Sequence, residues 1–146
     1  MSRAQEFATG SPEETIAIGH RLTEHLEVGE MIVLRGDLGA GKTTLVKGIA
    51  EGLAAAPQQH VTSPTFTLVH EYRGAAVTLF HIDLYRIDTD RELATLGIDD
   101  LRQEPHSLLL VEWGEKFEQI QAQSDGEIWI ERIGENERKI TFSRPD

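Results

Sequence analysis

The sequence contains no cysteine, so a disulfide framework, a zinc ribbon and thiol catalysis are all excluded. It is also poor in positive charge: 14 Lys and Arg stand against 25 Asp and Glu, for a formal net charge of −11. Such a chain repels phosphate backbones at long range. Autonomous binding to nucleic acid is therefore not expected, and any nucleic acid would be met only indirectly, through a partner that supplies the basic surface. No apolar run approaches the roughly 18 residues of a membrane span. Met1 to Gly10 carries no apolar core behind a basic cluster, so neither a signal peptide nor a membrane contact is expected, and a cytoplasmic protein is. With 13 Gly and 5 Pro the chain is not of low complexity. It shows no repeat and no Ser/Gly linker, and 146 residues suit one domain over 1–146.

What is present alternates between helical and extended patterns. Ser11-Pro12-Glu13-Glu14 places a capping Ser, a Pro at the first helical position and a Glu three residues after the cap, which predicts a helix start. Ile18, Leu22 and Leu26 follow at four-residue spacing up to the Val28-Gly29 break. Met31 to Leu34 is a short, wholly apolar run, as in a parallel strand buried on both faces. After the glycine-rich stretch Gly36 to Gly41, Leu45, Val46, Ile49 and Leu53 recur at helical spacing until Ala54-Ala55-Ala56-Pro57. Thr65 to Tyr72 and Val77 to Tyr85 predict a hairpin around residues 73–76. Short helical pieces are expected over 91–96 and 98–101, a second buried strand over Leu108 to Val111, and a closing hairpin over 127–132 and 138–142. The fold class this predicts is α/β: a single-domain P-loop NTPase, its mixed parallel and antiparallel sheet flanked by helices.

Gly36-Asp37-Leu38-Gly39-Ala40-Gly41-Lys42-Thr43 matches G-x-x-x-x-G-K-[ST] between a buried strand and a helix, the context its mechanism requires. The glycines let successive N–H groups, with those of Ala40 and Thr44, converge on phosphate at a helix N-terminus. Lys42 is expected to bridge the β- and γ-phosphates of ATP, and the Thr43 hydroxyl to coordinate Mg²⁺. Two apolar strands end in an acid, one in Glu112 and the other in Asp83, and either fits the second metal ligand. The run before Glu112 is the cleaner buried strand, which favours Glu112 for Mg²⁺ and leaves Asp83 to orient or deprotonate the attacking water. Thr62-Ser63-Pro64-Thr65 sits where P-loop switch proteins keep a Thr that senses the γ-phosphate, so Thr62 joins Lys42 and Asp83 as a catalytic candidate. His81, Asp83 and Tyr85 share a strand face, so His81 is expected to hold Asp83; Arg86 is placed to neutralise phosphate charge, and Trp113 to cover the nucleotide or meet a partner.

Taken together, the phosphate loop through Thr44, Val61-Thr62-Ser63-Pro64-Thr65-Phe66, His81-Ile82-Asp83-Leu84-Tyr85-Arg86 and Val111-Glu112-Trp113 resemble, in order and spacing, one family. It is the small P-loop ATPases of bacterial tRNA threonylcarbamoyladenosine biosynthesis, the TsaE (formerly YjeE) family. The resemblance implies an ATPase that serves the TsaB–TsaD pair, in which TsaD transfers the threonylcarbamoyl group to an adenosine of tRNA. It implies Thr43 and Glu112 as Mg²⁺ ligands, Gly39 to Thr44 as the phosphate cradle, and Asp83 with the Thr62 loop in hydrolysis. The segment around Ser11 and the hairpin after Gly126 match weakly, so no base-contacting residue is carried over.

Among rivals, a GTPase needs an Asn-Lys-x-Asp loop, whereas the one asparagine, Asn136, is followed by Glu137. A small P-loop kinase acting on a small molecule shares the loop and the metal. Against it, no Arg-rich lid follows the phosphate loop, and little chain remains for an acceptor pocket.

Overall fold

The two short apolar runs with no polar break become the centre of the sheet. The computed structural model describes residues 3–145. In chain order its elements are β1 (Arg3–Thr9), α1 (Pro12–Leu22), β2 (Met31–Arg35), α2 (Lys42–Gly52), β3 (Val69–Arg73) and β4 (Thr78–Asp83). There follow α3 (Asp90–Thr95), α4 (Ile98–Gln103), β5 (Ser107–Glu112), α5 (Glu118–Gln123), β6 (Gly126–Arg132) and β7 (Arg138–Arg144). All seven strands join one sheet in the order β1-β7-β6-β2-β5-β4-β3. β6, β2, β5 and β4 run parallel, while β7 and β1 on one side and β3 on the other are antiparallel additions. The sheet is thus mixed, as the sequence predicts.

Alternation along the strands divides the core into two. Ile32, Leu34, Leu108, Leu110, Ile128 and Ile130 pack beneath α1 and α2. Met31, Val33, Phe80, Ile82, Leu109 and Val111 pack beneath α3, α4 and α5. Each such buried side chain contributes about 1.5–3 kcal/mol. The Ser11 hydroxyl accepts from Glu14 N at 3.1 Å, and Glu14 returns a carboxylate oxygen to Gly10 N at 2.9 Å, so the capping box closes one residue earlier than its usual form. No helix among the described residues is long and apolar enough to cross a membrane.

Helices α1 and α2 meet backbone to backbone. A Cβ on Gly48 would lie 2.1 Å from Ile16 O, and one on Gly19 would lie 2.5 Å from Leu45 O. Helix propensity alone predicts that Gly48→Ala stabilises by about 1 kcal/mol. The contact reverses the sign: denaturant unfolding should show a loss of about 2 kcal/mol or more, and an unchanged or raised midpoint contradicts this packing.

Three local expectations are corrected. The first hairpin is shorter than 65–72 and 77–85, because Leu68 sits at φ 70 and donates back to Pro64 O at 2.6 Å, turning 65–68 out of the strand. β4 stops at Asp83, so Tyr85 does not continue the face of His81 and Asp83. Two elements, β1 and α5, go unread in the sequence. Of residues 4–9 in β1 only Thr9 is buried, and the strand form comes from full pairing with β7.

Candidate functional site

The carboxyl ends of β2, β4 and β5 lie side by side, the edge at which open α/β sheets bind ligands. From β2 the chain enters the loop 36–41 and turns directly into α2. Gly41 makes that turn at φ 107, a left-handed conformation that favours glycine. The first N–H groups of α2 and the positive end of its dipole therefore face the loop.

Lys42, the first residue of α2, is 7% exposed. Its ammonium donates to Gly36 O at 2.7 Å, stands 3.4 Å from Glu112 Oε1 and lies 4.5 Å from the centre of the Trp113 ring. The sequence-predicted cation and metal carboxylate are therefore brought together, 70 residues apart in the chain by their numbers. Thr43 and Thr44 follow on α2, both half-buried.

Glu112 is buried, and its second oxygen pairs with His81 Nε2. Burial pushes the carboxyl up, but the hydrogen bond from His81 and the charges of His81 and Lys42 outweigh this, so it lies below the usual carboxylate range. An ionised carboxylate only accepts, so His81 Nε2 carries the hydrogen. This corrects the expected partner: His81 holds Glu112 and not Asp83. His81 Nδ1 is left buried with no hydrogen-bond partner among the described residues.

Asp83 is the register partner of Glu112 across β4 and β5. It is 3% exposed and fixed at both oxygens. Tyr85 N donates to Oδ1 at 2.8 Å, and the Thr65 hydroxyl donates to Oδ2 at 3.0 Å. From the 62–65 loop it is therefore Thr65 that reaches Asp83. Thr62 is exposed and held from the other side: its N–H donates to the Tyr72 hydroxyl at 3.2 Å, and its carbonyl lies 3.1 Å from His70 Nδ1. Thr62 is not drawn in beside Lys42 and Glu112, while the loop it belongs to touches the site through Thr65. Arg86 lies with its guanidinium 4.4 Å from the Phe66 ring centre, facing the same loop.

Trp113 takes a left-handed backbone at φ 62 and ψ 23, uncommon for a bulky residue and worth about 1–3 kcal/mol of strain. The conformation carries its indole over Lys42 and sets it 5.2 Å from the Tyr85 ring. Arg138, which the sequence did not single out, ties the far hairpin to the loop. Its Nε donates to Ala40 O at 2.7 Å, and its Nη1 to Glu137 O at 3.0 Å and Gly134 O at 3.2 Å. Beside Gly41, Ser11, Thr15, Thr44, Asn136 and Arg138 border a hollow of about 50 Å³. Both chain ends thus reach the phosphate loop, and no local pattern announces it.

Oxygen donors, a buried cation and a glycine loop at a helix N-terminus suit a triphosphate. A family described as threonylcarbamoyl adenosine biosynthesis protein TsaE matches residues 9–140. The chain belongs to the TsaE family. The TsaE protein of Bacillus subtilis is 41% identical over 138 residues, spanning 94% of this chain and 84% of its own. That of Aquifex aeolicus is 37% identical over 144 residues, 99% of each chain. A crystal structure of Bacillus subtilis YdiB superposes with a TM-score of 0.73 at 35% identity, covering 99% of this chain and 87% of that one. TsaE membership ties the chain to threonylcarbamoyl adenosine biosynthesis, and the site just described lies within the matched residues.

Proposed function

We propose that this TsaE-family chain is a Mg²⁺-dependent ATPase that assists the TsaB–TsaD complex in threonylcarbamoyl modification of adenosine 37 in tRNA. The observation that carries the reading is Lys42, held buried between Gly36 O and Glu112 at the mouth of the phosphate loop. A lysine so placed has only to leave Glu112 for the β- and γ-phosphates, and that exchange frees a carboxylate oxygen where a metal is needed.

The residues fit both ligands. Thr43 and Glu112 are hard oxygen donors of the kind Mg²⁺ takes when substrate phosphates and water complete its shell. Bound there, Mg²⁺ would neutralise the charge on the β- and γ-oxygens. Gly36, Gly39, Ala40, Gly41 and Thr44 supply the cradle. Asp83, fixed at both oxygens, orients or deprotonates the attacking water. Thr62 and its loop sense the γ-phosphate through the Thr65 bond to Asp83. His81 keeps Glu112 turned toward the metal.

The partner role draws support from the surface. Of the large hydrophobic side chains exposed among the described residues, all but Val28 lie at the carboxyl edge of the sheet: Leu38, Phe66, Tyr85, Trp129 and Ile133. Arg86 lies over Phe66 and Arg35 over Trp129, and arginine with aromatics is the composition enriched at interface cores. With a net charge of −11, the chain is suited to meet tRNA through its partners and not alone.

Phosphate release from Mg–ATP, with no acceptor present, tests the reaction class. The ATPase reading expects slow release by the chain alone and faster release with TsaB–TsaD. ADP that forms only when a small-molecule acceptor is added, with the phosphoryl group on that acceptor and no free phosphate, would make it a kinase.

A further inference from the structure

Lys116 closes the turn Gly114–Lys116 that follows Glu112 and Trp113. Its ammonium donates to three main-chain carbonyls on the far side of the site: Leu84 O at 3.2 Å, Tyr85 O at 2.9 Å and Ile87 O at 2.7 Å. An ammonium has three N–H donors, and all three are used. The carboxylate of Asp88 stands at 4.0 Å and is 83% exposed, so Lys116 is spent on backbone and not on an ion pair. Among the described residues, neither Tyr85 O nor Ile87 O accepts any other hydrogen bond.

The bonded segment is the one that holds Asp83. Residues 84–87 belong to no strand or helix, and α3 begins only at Asp90. Leu84 and Ile87 are buried and anchor the segment by their side chains, which leaves the rotation of its peptide planes to be set by hydrogen bonds. One of those planes carries the Tyr85 N–H that donates to Asp83 Oδ1 at 2.8 Å. That plane is formed with the carbonyl of Leu84, one of the three bonded to Lys116. Peptide planarity makes the two inseparable: a carbonyl fixed on one side fixes the N–H on the other. Leu84 O also accepts from Ile87 N at 3.0 Å, and the preceding peptide plane is tied to β5 by Leu84 N, which donates to Glu112 O at 3.0 Å.

We propose that Lys116 is a positioning residue for Asp83: by holding the Leu84, Tyr85 and Ile87 carbonyls it aims the Tyr85 N–H that orients the Asp83 carboxylate. The inference rests on the hydrolytic role given to Asp83 above. Lys116 touches neither nucleotide nor metal in this account, so it governs the rate and not the affinity for ATP.

The test is a double-mutant cycle in the full chain with TsaB–TsaD present: wild type, Lys116→Met, Asp83→Asn and the double variant. The turnover rate and the ATP dissociation constant are measured for each. Lys116→Met, which keeps the stem and removes the ammonium, should lower the rate about tenfold, since misplacing a reacting group costs rate steeply, with ATP affinity within about twofold. In the Asp83→Asn background the same change should cost nothing further, because coupled residues are not additive. Lys116→Gln retains donors without charge and should recover part of the rate; it also serves as the test variant if Lys116→Met does not fold. A wild-type rate in Lys116→Met, or an equal fold loss in both backgrounds, would overturn the inference while leaving Asp83 in its role. If Asp83→Asn itself turns over at the wild-type rate, the hydrolytic role of Asp83 is wrong and the inference fails with it.

Discussion

Lys42→Ala is expected to abolish useful turnover of ATP and to weaken ATP binding about 100-fold. Hydrogen bonds to charged groups contribute about 1.5–3 kcal/mol each, and a loss of about 2.7 kcal/mol corresponds to a hundredfold in affinity. Three arginines at this edge of the described residues are already engaged. Arg138 is engaged with Ala40 O and the hairpin carbonyls, Arg86 with the Phe66 ring, and Arg35 lies over Trp129. The chain as a whole is acidic, with a net charge of −11, and bound triphosphate would lack its nearest positive partner. Removal also leaves buried Glu112 with His81 as its remaining partner, and a buried carboxylate deprived of a cation destabilises the fold. Calorimetric titration with ATP should therefore accompany a melting curve, which separates lost binding from lost structure. Turnover within about twofold of wild type in a folded Lys42→Ala protein would contradict the phosphate-loop assignment.

The second large effect separates the two acids. Glu112→Gln is expected to weaken Mg²⁺-dependent ATP binding, while Asp83→Asn keeps binding and loses at least about tenfold in rate. The geometry distinguishes them although they are register partners. Glu112 faces Lys42 at 3.4 Å and is held below the usual carboxylate range by His81 and Lys42 despite burial, as suits a residue that must stay anionic toward a metal. Among the described residues no cation pairs with Asp83; its oxygens accept from Tyr85 N and the Thr65 hydroxyl, bonds that orient a carboxylate without neutralising it. Titrating Mg²⁺ at fixed ATP and measuring single-turnover rates resolves the roles. Loss of Mg²⁺-dependent binding in Asp83→Asn, with binding retained in Glu112→Gln, would reverse the assignment.

The parts of this site that were legible in the sequence are contiguous ones. The phosphate loop, its buried strand and its helix are written in consecutive residues, so a pattern of glycines and apolar positions suffices. The preference for Glu112 over Asp83 as metal ligand rests on the cleaner apolar run before it, whereas the pairing of the two acids across β4 and β5 shows only in the sheet. The partner of His81 was misread for the same reason: along β4 the nearest acid is Asp83, but the carboxylate it meets belongs to a strand 31 residues away. The 62–65 loop meets Asp83 through Thr65 and not through Thr62, since the reversal at Leu68 depends on a left-handed backbone that a leucine gives no warning of. Arg138 and Lys116 act on main-chain carbonyls far along the chain, and backbone acceptors leave no trace in residue identity. β1 was missed because residues 4–9 bury little; its form is set by β7.

The central claim is that nucleotide state controls how this chain serves its partners. Phe66, Tyr85 and Leu38 are exposed, and the 62–65 segment touches Asp83, so under the proposed function an occupied γ-phosphate position would be felt at the exposed surface. Coupling of this kind is reciprocal: if ATP tightens the partner, the partner tightens ATP by the same factor. The most direct test is calorimetric titration of TsaB–TsaD into the chain with Mg²⁺, with and without a non-hydrolysable ATP analogue. The account predicts tighter binding with the analogue, by about fivefold or more; identical affinities in the two conditions would contradict it.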